Sequence, residues 1–170
     1  MLTESQEKFL QTIPDSKITE IRPWDKKAND TALQLIEKIK VAVPGLEIFY
    51  GGALALGIAG QNDIDITIKC SLTNFEKYLP ILENILGKPN KVSKKNIRWE
   101  PTYINGCETE VYMTDPNSPE FQEQIRTFEI LKNNKELRTA YEKLKQECNG
   151  IPYREYQRKK YEFYNKLLDK

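Results

Sequence analysis

Three acids and two glycines carry the chemistry this sequence offers. In residues 48–69, IFYGGALALGIAGQNDIDITIK, Asp63 and Asp65 alternate with Ile64, Ile66 and Ile68. Successive side chains of an extended strand point to opposite faces, so the alternation predicts both carboxylates on one side and the isoleucines on the other. Like charges that close repel unless a cation lies between them, and hard oxygen ligands suit Mg2+ or Mn2+. In residues 108–113, Glu108 and Glu110 share a face, with Thr109, Val111 and Met113 on the other. Glu110, further into that strand, is the expected third carboxylate of a two-metal site. Asp63, Asp65 and Glu110 are therefore the candidate metal ligands and catalytic acids.

The glycines supply the other half of the chemistry. Gly51 and Gly52 follow a predicted strand, residues 46–50, and precede a predicted short helix, residues 53–56. Lacking Cβ, they let an anion approach the backbone while free N–H groups of the helix start point at it. A phosphate seat beside a metal-holding pair predicts phosphoryl or nucleotidyl transfer from a nucleoside triphosphate, in which catalysis is mostly positioning and charge neutralisation. The plainer alternatives are a Gly-Gly pair that only turns the chain and alternating acids that only wet one face of a half-buried sheet.

The order of strand, Gly-Gly, spacer, Asp-x-Asp and a later strand acid resembles the nucleotidyltransferase superfamily related to polymerase beta, and within it the GrpB-like family. Gly51, Gly52, Gly57, Ile58, Asp65 and Ile66 fall into register with that family's glycine and Asp-Ile motif. The run from Asp115 to Phe121 is similar to its linker after the strand. Tyr141, Leu144 and Lys145 resemble its Tyr-x-x-Leu-Lys helix, and Tyr156, Lys160 and Phe163 its final Tyr-x-x-x-Lys-x-x-Phe helix. The resemblance spans residues 18–168 and implies a nucleotidyltransferase fold with no settled substrate. It marks Lys145 and Lys160 as candidate nucleotide-binding cations beside Gly51 and Gly52. Phe49 and Tyr112 stand where the family pattern has histidines, and Gln61 where it has a lysine, whereas Asp63 completes a two-acid pattern that many family members lack.

The composition sets outer bounds. With 170 residues, 39% hydrophobic and 30% charged, the chain fits one domain with a real core. There is no histidine, which removes serine-histidine and cysteine-histidine hydrolases and argues against a zinc enzyme. Cys70, Cys107 and Cys148 are scattered and predict reduced thiols rather than a disulfide framework. No apolar run reaches membrane-spanning length and the first residues show no signal pattern, so the expectation is a cytoplasmic protein with no membrane partner. A net charge of +1 offers no global field for nucleic acid.

The elements that must position the site follow from periodicity and caps. The expected fold is α+β (α/β): a small mixed sheet flanked by helices, with a helical C-terminal part. It divides into an N-terminal extension (1–16), a sheet core (17–113) and the helical part (118–170). Residues 3–10 predict a helix capped by Thr3 and halted by Pro14, and residues 17–21 alternate like a strand. Residues 26–41 predict a helix with Leu33, Ile36 and Ile39 inward. Residues 75–86 keep helical spacing, and Pro80 predicts a kink or a split into two shorter helices. Residues 96–104 and 107–113 read as a hairpin turning at Asn105-Gly106. Ser118-Pro119, Asn133-Asn134, Asn149-Gly150 and Pro152 punctuate three C-terminal helices. Arg154, Arg158, Lys159 and Lys160, with Tyr153, Tyr156 and Tyr161, either hold a triphosphate and stack a base or form a solvated face over core tyrosines.

The leading functional expectation is a Mg2+-dependent nucleotidyltransferase that moves a nucleoside monophosphate to a hydroxyl acceptor. The missing histidines and Gln61 support a second: a nucleotide- or protein-binding domain of the same fold without turnover.

Overall fold

In the computed structural model, which describes residues 1–169, the alternating isoleucines lie at the middle of the molecule. Strand β2 (Ile64–Lys69) is flanked by β1 (Glu47–Gly51) and β5 (Cys107–Thr114), and β4 (Asn96–Ile104) and β3 (Lys91–Val92) complete a sheet of order β1-β2-β5-β4-β3. Only the β2–β5 pair is parallel; the others are antiparallel. A parallel pair needs a crossover, here made by helix α4 (Phe75–Leu86) and the β3–β4 edge. The expected mixed sheet with flanking helices is the observed architecture.

One face of this sheet is the core. Ile64, Ile66 and Ile68 of β2, Val111 and Met113 of β5, and Ile97 and Trp99 of β4 are buried against α4 and helix α2 (Lys26–Ala42). Full burial of each such side chain contributes about 1.5–3 kcal/mol, which fixes the strand faces and with them the acids opposite. Trp99 Nε1 donates to the Gly87 carbonyl at 2.8 Å, tying the end of α4 to β4. In α2 the buried stripe runs through Ala28, Ala32, Leu35, Ile36 and Ile39, while Leu33, expected inward, is 47% exposed. Leu33 lies three positions before Ile36, a spacing that leaves it at the margin of a stripe centred on Ala32 and Leu35.

Pro80 neither ends nor splits α4, which runs unbroken from Phe75 to Leu86. The proline sits exposed in the N-terminal half of the helix, where it removes one internal hydrogen bond and turns its ring to solvent. Residues 17–21 form no strand of the sheet; Ile18 bridges Pro152 and Arg22 bridges Gly60 as isolated pairs. The partner of this segment is a helix connection, with Thr19 N donating to Ile151 O and Tyr153 N to Lys17 O, too short to propagate a ladder. The Asn105-Gly106 hairpin forms as expected, with a register shift between Trp99 and Thr102.

Helices α5 (Pro119–Asn133) and α7 (Tyr153–Leu167) face the other side of the sheet, and α6 (Lys135–Glu147) packs against both. Ser118 caps α5 through the Phe121 N–H, and Asn134 ends α5 and caps α6 through the Leu137 N–H. Leu131 and Tyr141 pack with Ala53 and Ile58 from around helix α3 (Gly52–Leu56), fixing the Gly-Gly bend against the helical part. Helix α1 (Glu4–Thr12) opens with a Thr3–Gln6 capping box and lies along α7. Arg158 makes two bonds to Glu7 at 2.7 and 2.9 Å, Arg154 reaches the Leu10 carbonyl at 2.9 Å, and buried Asn165 exchanges bonds with Gln6 at 3.0 and 2.9 Å.

Cys70, Cys107 and Cys148 are free thiols. Among the described residues no helix is long and apolar enough to cross a membrane.

Candidate functional site

The register of the central strands sets Gly51, Asp65 and Glu110 in one row, because Asp65 pairs with Gly51 on one side and with Glu110 on the other. Neighbouring strands lie about 4.8 Å apart, so one step across the sheet separates the two carboxylate-bearing residues. Asp63 precedes β2 by one residue, with the parity of Asp65.

Both glycines are required by close approach. Gly51 is extended, and a Cβ there would lie 2.7 Å from the Phe49 ring. Gly52 has φ +76°, in the left-handed region, and its Cβ would fall 2.0 Å from Asp65 Oδ2. The Asp65 carboxylate is therefore lodged against the bare backbone of the bend. Any side chain at 52 would evict it.

The acids share one electrostatic field. Burial, then Asp63, then Glu110 hold the Asp65 carboxyl well above the usual carboxylate range, while Lys160 and Lys145 pull the other way. Burial, then Glu100 and Asp63, push Glu110 up to about 7, again opposed by Lys160. For Lys160, burial works against its charge but is outweighed by the ring oxygens of Tyr164, Tyr156 and Tyr153 and by Asp65, so the ammonium is retained. Lys145 shows the reverse balance: burial, then Lys160, bring it down to about 8, against the pull of Asp63 and Asp65.

These residues surround a cavity of about 530 Å³ between the sheet and the helical part. Gly52, Asp65 and Glu110 line it from the sheet side, with Lys160 facing them from α7. Thr67 and Tyr112 extend the sheet wall, and Gln157, Tyr161 and Tyr164 the helical one. Gly51, Asp63 and Lys145 lie outside the lining. Lys145 is buried behind it, 5% exposed, donating to the Tyr156 hydroxyl at 2.8 Å.

The basic residues of α7 divide into two groups. Arg158 pairs with Glu7, Arg154 with Asp15 and Lys159 with Glu155, which makes them fasteners of α1 and of the helix surface. Tyr156 is fully buried, in keeping with the core reading, whereas Tyr161 and Tyr164 reach the cavity. Thr67 and Tyr112 were legible in principle, since they continue the parity of Asp65 and Glu110 by two residues. Gln6 also lines the cavity, and nothing near it in the sequence signals that.

Among the described residues no group of three or more His, Cys, Asp or Glu side chains is drawn together as a ready metal cage. The donor chemistry nevertheless suits a hard divalent cation: an all-oxygen set in which Asp65 and Glu110 are each raised by burial and then by neighbouring negative charge, which a cation relieves.

No curated protein matches the sequence. Among solved structures, the chain is similar to the Cid1 poly (U) polymerase in its MgGTP-bound form, at 13% identity and a TM-score of 0.43. The similarity covers 79% of this chain and 46% of that one, so this chain spans less than half the length of that polymerase. Residues 19–170 match the family described as GrpB protein, a span that takes in the Gly-Gly bend, the Asp-x-Asp strand, Glu110 and both lysines, and the chain belongs to the GrpB family.

Proposed function

We propose that this GrpB-family protein is a Mg2+-dependent nucleotidyltransferase that transfers a nucleoside monophosphate from a nucleoside triphosphate to a hydroxyl acceptor. One observation carries the reading: Gly52, Asp65, Glu110 and Lys160, from four different elements, line a single cavity. The ordered motif that resembles polymerase-beta-type transferases supports the same reading.

In this reading Asp65 and Glu110, with Asp63 two residues before Asp65, are the residues that would hold the cation. When bound, the cation supplies neutralisation of the phosphate charge. Gly52, lacking a Cβ, leaves room for the Asp65 carboxyl to sit at the cavity wall, and Lys160 would meet the negative charge of the triphosphate from the opposite wall. Glu110, with a pKa of about 7, is poised to accept the proton of the attacking hydroxyl near neutral pH. The acceptor oxygen forms its bond to the α-phosphorus as the bond to pyrophosphate breaks. Lys145 acts from behind: its bond to Tyr156 joins α6 to α7, and its charge offsets the aspartates. Tyr161 and Tyr164 offer ring faces for a base.

Calorimetric titration with ATP and Mg2+ tests the reading. Asp65→Asn is expected to abolish the binding while the protein stays folded, and unchanged binding would overturn the proposal.

A second reading, a nucleotide-binding domain without turnover, is favoured by one observation. The Asp65 carboxyl fills the space over Gly52 and is disposed to keep its proton, which would stand in for the cation. Pyrophosphate release from the four ribonucleoside triphosphates separates the two: saturable binding without release favours the second.

A further inference from the structure

A second cavity, of about 740 Å³, adjoins the first and shares with it Thr67 and Tyr112 of the sheet and Glu120 and Gln124 of α5. Its sheet wall continues through Arg98, which pairs with Tyr112 across β4 and β5. The Arg98 guanidinium lies over the Tyr112 ring, 5.3 Å from the centroid. Its Nε donates to Asn96 Oδ1 at 3.2 Å. No ion pair among the described residues engages Arg98 or Lys95, which lines the same cavity.

Two of the nearby acids are engaged by neighbours. Glu100 accepts the Tyr112 hydroxyl, and Asp115 accepts the Asn117 N–H at 2.7 Å. Glu120, in the first turn of α5, is shared by both cavities. A planar guanidinium held over a ring and without a carboxylate partner is prepared for bidentate recognition of an oxyanion.

Resting on the transferase reading, we propose that this second cavity is the acceptor site, and that the acceptor is a hydroxyl compound bearing an oxyanion, phosphate or carboxylate, held by Arg98 with Lys95. Arg98 lies two residues along and one strand across from Glu110, a backbone separation of roughly 8 Å. The acceptor's oxyanion is anchored at Arg98 while its hydroxyl reaches the Glu110 carboxylate past Tyr112, which lines both cavities. That span is the size of a short phosphosugar or hydroxy acid.

Calorimetric titrations with sn-glycerol 3-phosphate, D-glycerate and glycerol test the site on the full chain. One of the two anions is expected to bind saturably and glycerol not to. The preferred anion tells phosphate from carboxylate. Arg98→Gln is expected to weaken that binding at least tenfold, and Lys95→Ala, at an exposed position, several-fold, with ATP–Mg2+ binding unchanged in both. Absence of binding by either anion, equal binding of glycerol, or binding indifferent to both substitutions overturns the proposal. The two readings fail separately: ATP–Mg2+ binding that survives Asp65→Asn sinks the transferase, whereas anion binding that survives Arg98→Gln and Lys95→Ala sinks the acceptor site alone.

Discussion

Asp65 and Glu110 stand directly opposite each other on parallel β2 and β5, each carboxyl raised by burial and by negative neighbours. In water they would ionise well below neutral pH; here burial and neighbouring acids raise both, Glu110 to about 7. The cluster is thus held by the fold at an energetic cost that a cation would offset, and the measurable consequences follow from that cost.

The first concerns pH. Glu110 has an ordinary value of 4.5 and a folded value of about 7, so between these the folded state binds more protons than the unfolded state. Its contribution is nil below 4.5, grows as pH rises, and is fully destabilising above 7. Glu110→Gln should stabilise the metal-free protein at pH 8 by roughly 1–3 kcal/mol and leave it unchanged at pH 4. Urea unfolding at the two pH values checks this; an equal effect at both would assign the change to packing.

Gly52→Ala should cost about 1–3 kcal/mol through its left-handed backbone and its collision with Asp65. The two causes can be parted. Adding Asp65→Ala should return the part due to collision, so the double variant should be more stable than the sum of the singles predicts. Strict additivity in denaturant unfolding would show that Asp65 does not occupy that space.

Lys145 should titrate near 8 in the folded protein, visible in the NMR shift of its side-chain carbon next to the amine. Because Asp65 raises that value, Asp65→Asn should move the midpoint downward. An upward movement would contradict the charge balance described for the site.

Asn165, 2% exposed, donates to the Met1 carbonyl at 2.8 Å and exchanges bonds with Gln6. Asn165→Leu should destabilise the protein by about 1–3 kcal/mol through the polar groups left unpaired. Hydrogen exchange should rise in α1 before it rises in the sheet. Uniform loss of protection would mean that α1 is not held by this contact.

How far the sequence reveals the fold depends on the distance over which each signal acts. The β2 alternation, the Asn105-Gly106 turn, the Thr3 and Ser118 caps and the Asn134 break are all local, and each is observed where its residues predict. Leu33 shows the limit of reading a face by spacing alone. Which side of α2 is buried depends on where α4 and the sheet meet it. Pro80 shows that a cost of a few kcal/mol does not split a helix clamped by Leu82 and Phe75 in the core. Residues 17–21 have strand composition but meet only a helix connection. Within the site, the row from Gly51 to Glu110 is set by strand pairing that the alternation implies. The place of Lys145 behind the cavity and of Gln6 at its rim is decided by contacts among α1, α6 and α7, which no local pattern encodes.

The parallel pairing that aligns Asp65 with Glu110 also aligns Ile64, Ile66 and Ile68 with the apolar stripe of β5. A slip of β2 by a single residue would turn the isoleucines toward the cavity and the aspartates into oil. Aim and cohesion therefore share one lock. A variant chain cannot drift gradually out of this alignment; it holds the acids in place or it loses its centre.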